Sequence, residues 1–207
     1  MSNAYAALLM AIALVVGSHC IARSGDTADE VSASPWSMSV ASYTEKLNKV
    51  ILKDTRGVHS ADMKRCKKTG PEDYVCGFQD KAFNSSVAEF KRLNAMNGTF
   101  TQRLGVIINT KRGKLSRIQL LGNRGDPPNI FAFTGTIIDI LQTFDPSIGK
   151  TDGDLKHISD ELGLLRGDSA DDIGKPRVMI EDWGAVQCLA QPSTETELET
   201  CVVEPRS

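Results

Sequence analysis

The chain has no C-x-x-C pair, no complete G-x-S-x-G elbow, no EF-hand spacing and no repeat of solenoid length. Structural zinc, an α/β-hydrolase nucleophile, a calcium loop and a repeat array therefore have no motif to stand on. Histidine is scarce, and only His59 and His157 lie beyond the first 22 residues. Aromatic residues make up 6% of the chain and do not interleave with the basic ones. That removes the stacking platform of a strand-binding protein, and no nucleic-acid partner is expected. The longest unbroken apolar run, Ala4 to Val16, falls short of the roughly 20 residues that cross a bilayer.

That run has the layout of a secretory leader, with Cys20-Ile21-Ala22 acceptable for cleavage before Arg23. No Lys or Arg precedes it, so an uncleaved anchor is the other reading and the only expected route to a membrane. Cleavage after Ala22 gives a periplasmic or secreted chain. It leaves four cysteines, Cys66, Cys76, Cys188 and Cys201, an even number in an oxidising compartment. Each sequential pair brackets turn-like sequence, Lys68-Thr69-Gly70-Pro71 and Pro192-Ser193-Thr194, so the expected disulfides are Cys66–Cys76 and Cys188–Cys201. The division is then leader 1–22, a Ser-, Ala- and Asp-rich tether 23–35 and one domain 36–207.

The domain is organised around residues 100–144. Phe100, Leu104, Val106 and Ile108 alternate with residues such as Arg103 and Gly105, the period of a strand with one buried face. Asn109-Thr110-Lys111-Arg112-Gly113-Lys114 interrupts the run, and Gly113 suits the left-handed position of a three-residue loop. Pairing Thr110 with Lys114 sets Val106 opposite Ile118 and Leu104 opposite Leu120. One face is then apolar, with Arg103, Arg117 and Gln119 on the other. Asp126 is a good N-cap, and Pro127 is pre-set for a first helical position. Ile130, Phe133, Ile137, Leu141 and Phe144 form a helical stripe that Ile138 and Ile140 widen. Asp145 before Pro146 ends it.

Around this core the patterning predicts a helix over 36–52 with the stripe Tyr43, Leu47, Val50, Ile51 and a capping box of Ser42 and Glu45. A hairpin follows over 63–67 and 74–79, then a helix over 82–96. Thr151 and Asp154 open a helix carrying Leu155, Ile158, Leu162 and Leu165. Strands follow over 177–182, with Val178 and Ile180 inward, around Val186, Cys188 and Ala190, and over 198–204. Pairing Cys188 with Cys201 sets Val186 opposite Val203. Strands and helices come in blocks, which predicts an α+β fold: a mainly antiparallel sheet of five to seven strands with helices packed on one face.

Charge is separated along the chain. Residues 46–124 carry 17 Lys+Arg against 6 Asp+Glu, and residues 126–207 carry 6 against 16. The basic residues gather at predicted hairpin ends: Lys64, Arg65, Lys67 and Lys68, then Lys111, Arg112 and Lys114. They are the candidate partner-binding residues, suited to an acidic protein or an anionic envelope component. A solvated dipolar surface, or two halves facing each other, is the plain alternative.

No catalytic, cofactor-binding or metal-binding residue is expected. Gly167-Asp168-Ser169-Ala170 has Asp171 where an elbow needs Gly. His59-Ser60-Asp62 and His157-Ser159-Asp160 contain triad residue types, but triads are defined by spatial geometry. The carboxylates of Asp152-Gly153-Asp154 and Asp168-x-x-Asp171-Asp172 fit helix capping better than calcium. Trp36, Tyr74, Phe78 and Trp183 suit a core as well as a pocket. Arg124-Gly125-Asp126 and Arg166-Gly167-Asp168 resemble the integrin-binding tripeptide, although Asp126 already has a capping role. Asn84-Ser85-Ser86 and Asn97-Gly98-Thr99 match the glycosylation sequon. The functional expectation is an exported, non-catalytic interaction protein. An exported hydrolase with a site assembled from distant residues and His59 or His157 as base, or a lipid or small-ligand carrier using space between the 127–144 helix and the sheet, are the alternatives.

Overall fold

The computed structural model describes residues 34–206 apart from 54–62, 64–65, 95–97, 124, 165–172 and 192–197. The leader 1–22 and residues 23–33 of the tether lie outside the described residues. The described chain belongs to one compact unit spanning Ala33–Ser207. Its elements are a 3-10 turn Pro35–Ser37, α1 (Val40–Ile51), β1 (Lys67–Lys68), β2 (Asp73–Gly77), α2 (Asp80–Asn94), β3 (Leu104–Lys111), β4 (Lys114–Asn123), α3 (Pro127–Phe144), α4 (Asp152–Leu162), β5 (Arg177–Glu181), β6 (Gly184–Gln191) and β7 (Leu198–Glu204). All seven strands form one antiparallel sheet in the order β1-β2-β3-β4-β7-β6-β5. The fold is α+β, as the block pattern predicts.

The α3 helix begins and ends where its local chemistry dictates. The Asp126 carboxylate accepts from Asn129 N at 2.9 Å, Pro127 opens the first turn, and Asp145 leaves the helix in an extended conformation. Thr151 and Asp154 close a reciprocal capping box at the start of α4, and Gly163 ends it at φ 71°. The α1 helix starts at a different cap from the expected Ser42. The Ser39 hydroxyl accepts from Ser42 N at 3.2 Å, because the chain first makes the 3-10 turn that buries Trp36.

The core lies between the sheet and α3. Phe133, Ile137, Ile140 and Leu141 pack with Val106, Ile108, Ile118, Leu120, Val186 and Val203, all fully buried. Tyr43, Leu47 and Ile51 bring α1 into the same cluster, and the Trp36 ring lies tilted against Phe144 with centroids 4.6 Å apart. Trp36 and Phe78 are thus core residues. A satellite cluster of Phe83, Val87 and Ala132 joins α2 to α3. Along α3, Asn129, Thr134, Thr136, Asp139 and Thr143 are also buried. Short local bonds satisfy several of them, such as the Thr136 hydroxyl donating to Ala132 O at 2.7 Å.

The β3–β4 hairpin keeps its expected buried face but not its expected register. Lys111 pairs with Lys114, so the loop has two residues, Arg112 and Gly113, at φ 56° and 75°. Both central residues are left-handed, as a tight hairpin matched to strand twist requires. A bulge between Asn109 and Thr110 then adds one residue, and the body pairs Ile108 with Ile118 and Val106 with Leu120. The offset from the expected pairing is two residues. An even offset preserves which side chains face inward. Leu104 therefore lies opposite Gly122, which leaves space for the Phe133 ring of α3.

Both disulfides form as the spacing predicts, Cys66–Cys76 and Cys188–Cys201. Cys188 and Cys201 are directly opposed on β6 and β7, and Cys66 just before β1 reaches Cys76 of β2, with Cα atoms 4.1 and 4.2 Å apart respectively. In β5 the expected inward residues are overturned. Met179 is buried, whereas Val178 and Ile180 are 48% and 63% exposed. The two-residue turn Asp182-Trp183 pairs Met179 with Val186 and Arg177 with Cys188, and those core partners fix the parity of the strand.

Candidate interaction surface

Five of the seven candidate partner-binding residues are described: Lys67, Lys68, Lys111, Arg112 and Lys114, all exposed. Lys64 and Arg65 lie outside the described residues. The five come from segments more than forty positions apart, and the sheet brings them to one end. Antiparallel pairing of β1 with β2 and of β3 with β4 turns both hairpins at the same edge of the strands. The two turns are tied together: Thr110 N donates to Glu72 O at 2.8 Å, and Arg112 N donates to the Glu72 carboxylate at 3.0 Å. The Asn109 amide donates to Asp73 at 2.8 Å.

Among the described residues, the ammonium groups of Lys67, Lys111 and Lys114 carry no ion pair, and Lys68 Nζ lies 5.9 Å over the Tyr74 ring. The described cross-half arrangement is lateral. Strands β1 to β4 belong to the basic half of the chain, and β7, β6 and β5 to the acidic half, side by side in the sheet. At the same end, the β5–β6 turn and the close of β7 carry Glu181, Asp182 and Glu204. The sheet therefore has a basic corner and an acidic corner along one end.

Among the described residues, the face of the sheet opposite the helices is mostly exposed or half-buried, with Asn123 at the end of β4 the buried exception. One row crosses all seven strands: Lys67, Val75, Ile107, Gln119, Val202, Gln187, Val178. Lys111, Lys114 and Arg117 stand on this face too. It is amphipathic, as an antiparallel sheet with one wet face allows.

The other candidate groups are dispersed. His157 is exposed on α4 with its Nε2 3.4 Å from the Glu161 carboxylate, while Ser159 is buried on the far side of the same helix. Those triad residue types do not converge. His59, the second RGD tripeptide, the 168–172 carboxylates and Asn97 lie outside the described residues. Asp126 caps α3, Asp154 caps α4, and Asn84 is an exposed residue of α2. The Trp183 carbonyl accepts from Trp36 Nε1 at 2.7 Å, which places Trp183 in the aromatic cluster with Phe144. Donor atoms of Cys188, Glu199 and Cys201 lie within 4.8 Å of one another, but both thiols are consumed by the disulfide.

Sequence reasoning missed two buried acids, Asp139 and Glu199, each 2% exposed. A carboxylate inside the apolar run Ile137-Ile138-Asp139-Ile140 was the available signal for the first. Both are shielded from solvent and present no carboxylate to a ligand. Burial raises the pKa of Tyr43 far above its ordinary range; contact with Thr143 opposes the shift and the Asp139 charge adds to it. The Thr143 hydroxyl donates to Ile140 O at 2.7 Å, and the buried Tyr43 Oη has no hydrogen-bond partner among the described residues.

No helix among the described residues is long and apolar enough to cross a membrane. The chain matches no protein family, no curated protein and no solved structure.

Proposed function

We propose that this is an exported, non-catalytic binding protein that holds an anionic partner, in the first place an acidic protein, against the basic turn end of its sheet. The observation that carries the reading is the convergence of exposed cations from two remote hairpins onto one rigid, hydrogen-bonded corner. The paired strands fix the backbone positions from which the charges project, so no loop has to order on contact. The neighbouring acidic corner sets the orientation of an approaching partner and disfavours cationic ones. Two cross-strand disulfides suit an oxidising compartment outside the cytosol.

The test is capture of a partner from the native envelope or medium by the chain and by Lys111→Glu/Arg112→Glu/Lys114→Glu. All three residues are exposed, so circular dichroism should be unchanged. The triple variant should lose a stoichiometric, acidic protein that high salt also releases, because exposed charge contacts are screened within about 10 Å at 0.1 M salt. Capture that is indifferent to both the reversal and salt would refute the reading. A carrier needs room beneath α3, where Phe133, Ile137 and Leu141 are fully buried against the sheet.

A further inference from the structure

The two edges of the sheet are built differently. The β1 edge is two residues long, and both are exposed lysines, a pattern that resists strand addition. The β5 edge is longer and offers Val178 and Ile180 to solvent at 48% and 63% exposure. Its backbone polarity can be read from its neighbour. Ala190 O accepts from Gly174 N at 2.9 Å, so Ala190, and by alternation Cys188, Val186 and Gly184, direct their amide groups toward β5. Their partners Arg177, Met179 and Glu181 point back. Val178 and Ile180 are left with N–H and C=O groups aimed away from the sheet, and no described residue pairs with them.

We propose that β5 pairs with β5 of a second copy of this chain, antiparallel about a two-fold axis through Met179. The strand reads Arg177-Val178-Met179-Ile180-Glu181. Run antiparallel on itself, it sets Arg177 opposite Glu181 at both ends and Val178 opposite Ile180 between them. The charges are thus self-complementary, as an isologous interface requires. The backbone agrees. Val178 and Ile180, the residues with outward groups, become the pairs that exchange both hydrogen bonds. Sliding the register so that Val178 meets its own copy would bring Pro176, which has no N–H, opposite Ile180 and would part the charges. The sheet becomes continuous across the axis and the β5 edge, unpaired among the described residues, is covered. The basic corners stay on the far side of each copy, so the dimer displays two of them and gains avidity for a multivalent anionic partner.

Sedimentation equilibrium of the disulfide-bonded chain over a hundredfold range of concentration tests this. A reversible monomer–dimer equilibrium is expected. Ile180→Pro removes an outward N–H and nothing from the β5–β6 ladder, and it should raise the dimer Kd roughly tenfold or more with an unchanged circular dichroism spectrum. Val178→Lys, at a side chain already in solvent, carries the same expectation should the proline variant fail to fold. Arg177→Glu places carboxylates opposite each other twice and should weaken the dimer similarly. Arg177→Glu combined with Glu181→Arg restores opposite charges and should return Kd to within about threefold of wild type. A chain that stays monomeric throughout, a dimer indifferent to these edge substitutions, or a double variant no tighter than the single one would overturn the pairing.

Discussion

Gly122→Ala tests the packing that joins the two halves of the fold. Gly122 sits on β4 opposite Leu104, beneath α3. Its backbone is not left-handed, so alanine meets no torsional strain there. The obstacle is space alone. A Cβ would collide with Phe133 Cδ2 and would stand 3.0 Å from Leu104 Cδ2. Phe133 is fully buried and closed in by neighbouring core side chains, so it cannot swing aside into solvent. Overpacking of this kind costs about 1–3 kcal/mol. For a domain of this size that is a fall of about 2–12 °C in Tm. Urea unfolding with the disulfides intact should show a lower midpoint at unchanged slope. Phe133→Leu makes room beside position 122. In that background Gly122→Ala should cost less by about 1 kcal/mol, a coupling expected only between touching residues. A Gly122→Ala midpoint equal to wild type, or strictly additive costs, would refute the contact between β4 and α3.

Other perturbations have equally definite outcomes. Arg112 occupies a left-handed position at φ 56°, so Arg112→Asn should raise stability by about 0.5–1 kcal/mol in thermal melts while weakening capture of the anionic partner. The disulfides close loops of sequence separation 10 and 13, so removing either as a Cys→Ser pair should cost about 3 kcal/mol in the chain-entropy account, read from urea midpoints. Hydrogen bonds from the Ser147 hydroxyl and N–H hold the Asp145 carboxyl below its ordinary 3.8. Its contribution is complete above the unfolded pKa near 4 and is lost as pH falls through the depressed value, so the advantage of wild type over Asp145→Asn should be full at neutral pH and vanish in strong acid.

Much of the fold was legible because the signals were local. Period two marked the faces of β3 and β4, and a capping Asp followed by Pro placed the start of α3. The helix stopped before Pro146, and Thr151 with Asp154 opened α4. Both disulfides followed from short loops around turn sequence. The α1 cap was missed because two serines three residues apart are equivalent until Trp36 is known to be buried. The hairpin register was missed because Arg112 is not a residue that announces a left-handed turn. The candidate surface was half legible: the basic residues could be counted, but not that two hairpins would turn side by side.

By itself, the sequence determined where most helices and strands lie, which faces of β3, β4 and α3 are apolar, how the cysteines pair and how the charge divides along the chain. Each of these depends on residues within one turn, one hairpin or one linear segment. Only the tertiary structure decided that β7 inserts beside β4, that the basic and acidic halves lie side by side, that Asp139 and Glu199 are buried, and that Val178 and Ile180 face outward. Those outcomes depend on which strands meet. In β5 the apolar side chains alternate in the same way for either facing, and the register with Val186 and Cys188 selected the one that buries Met179.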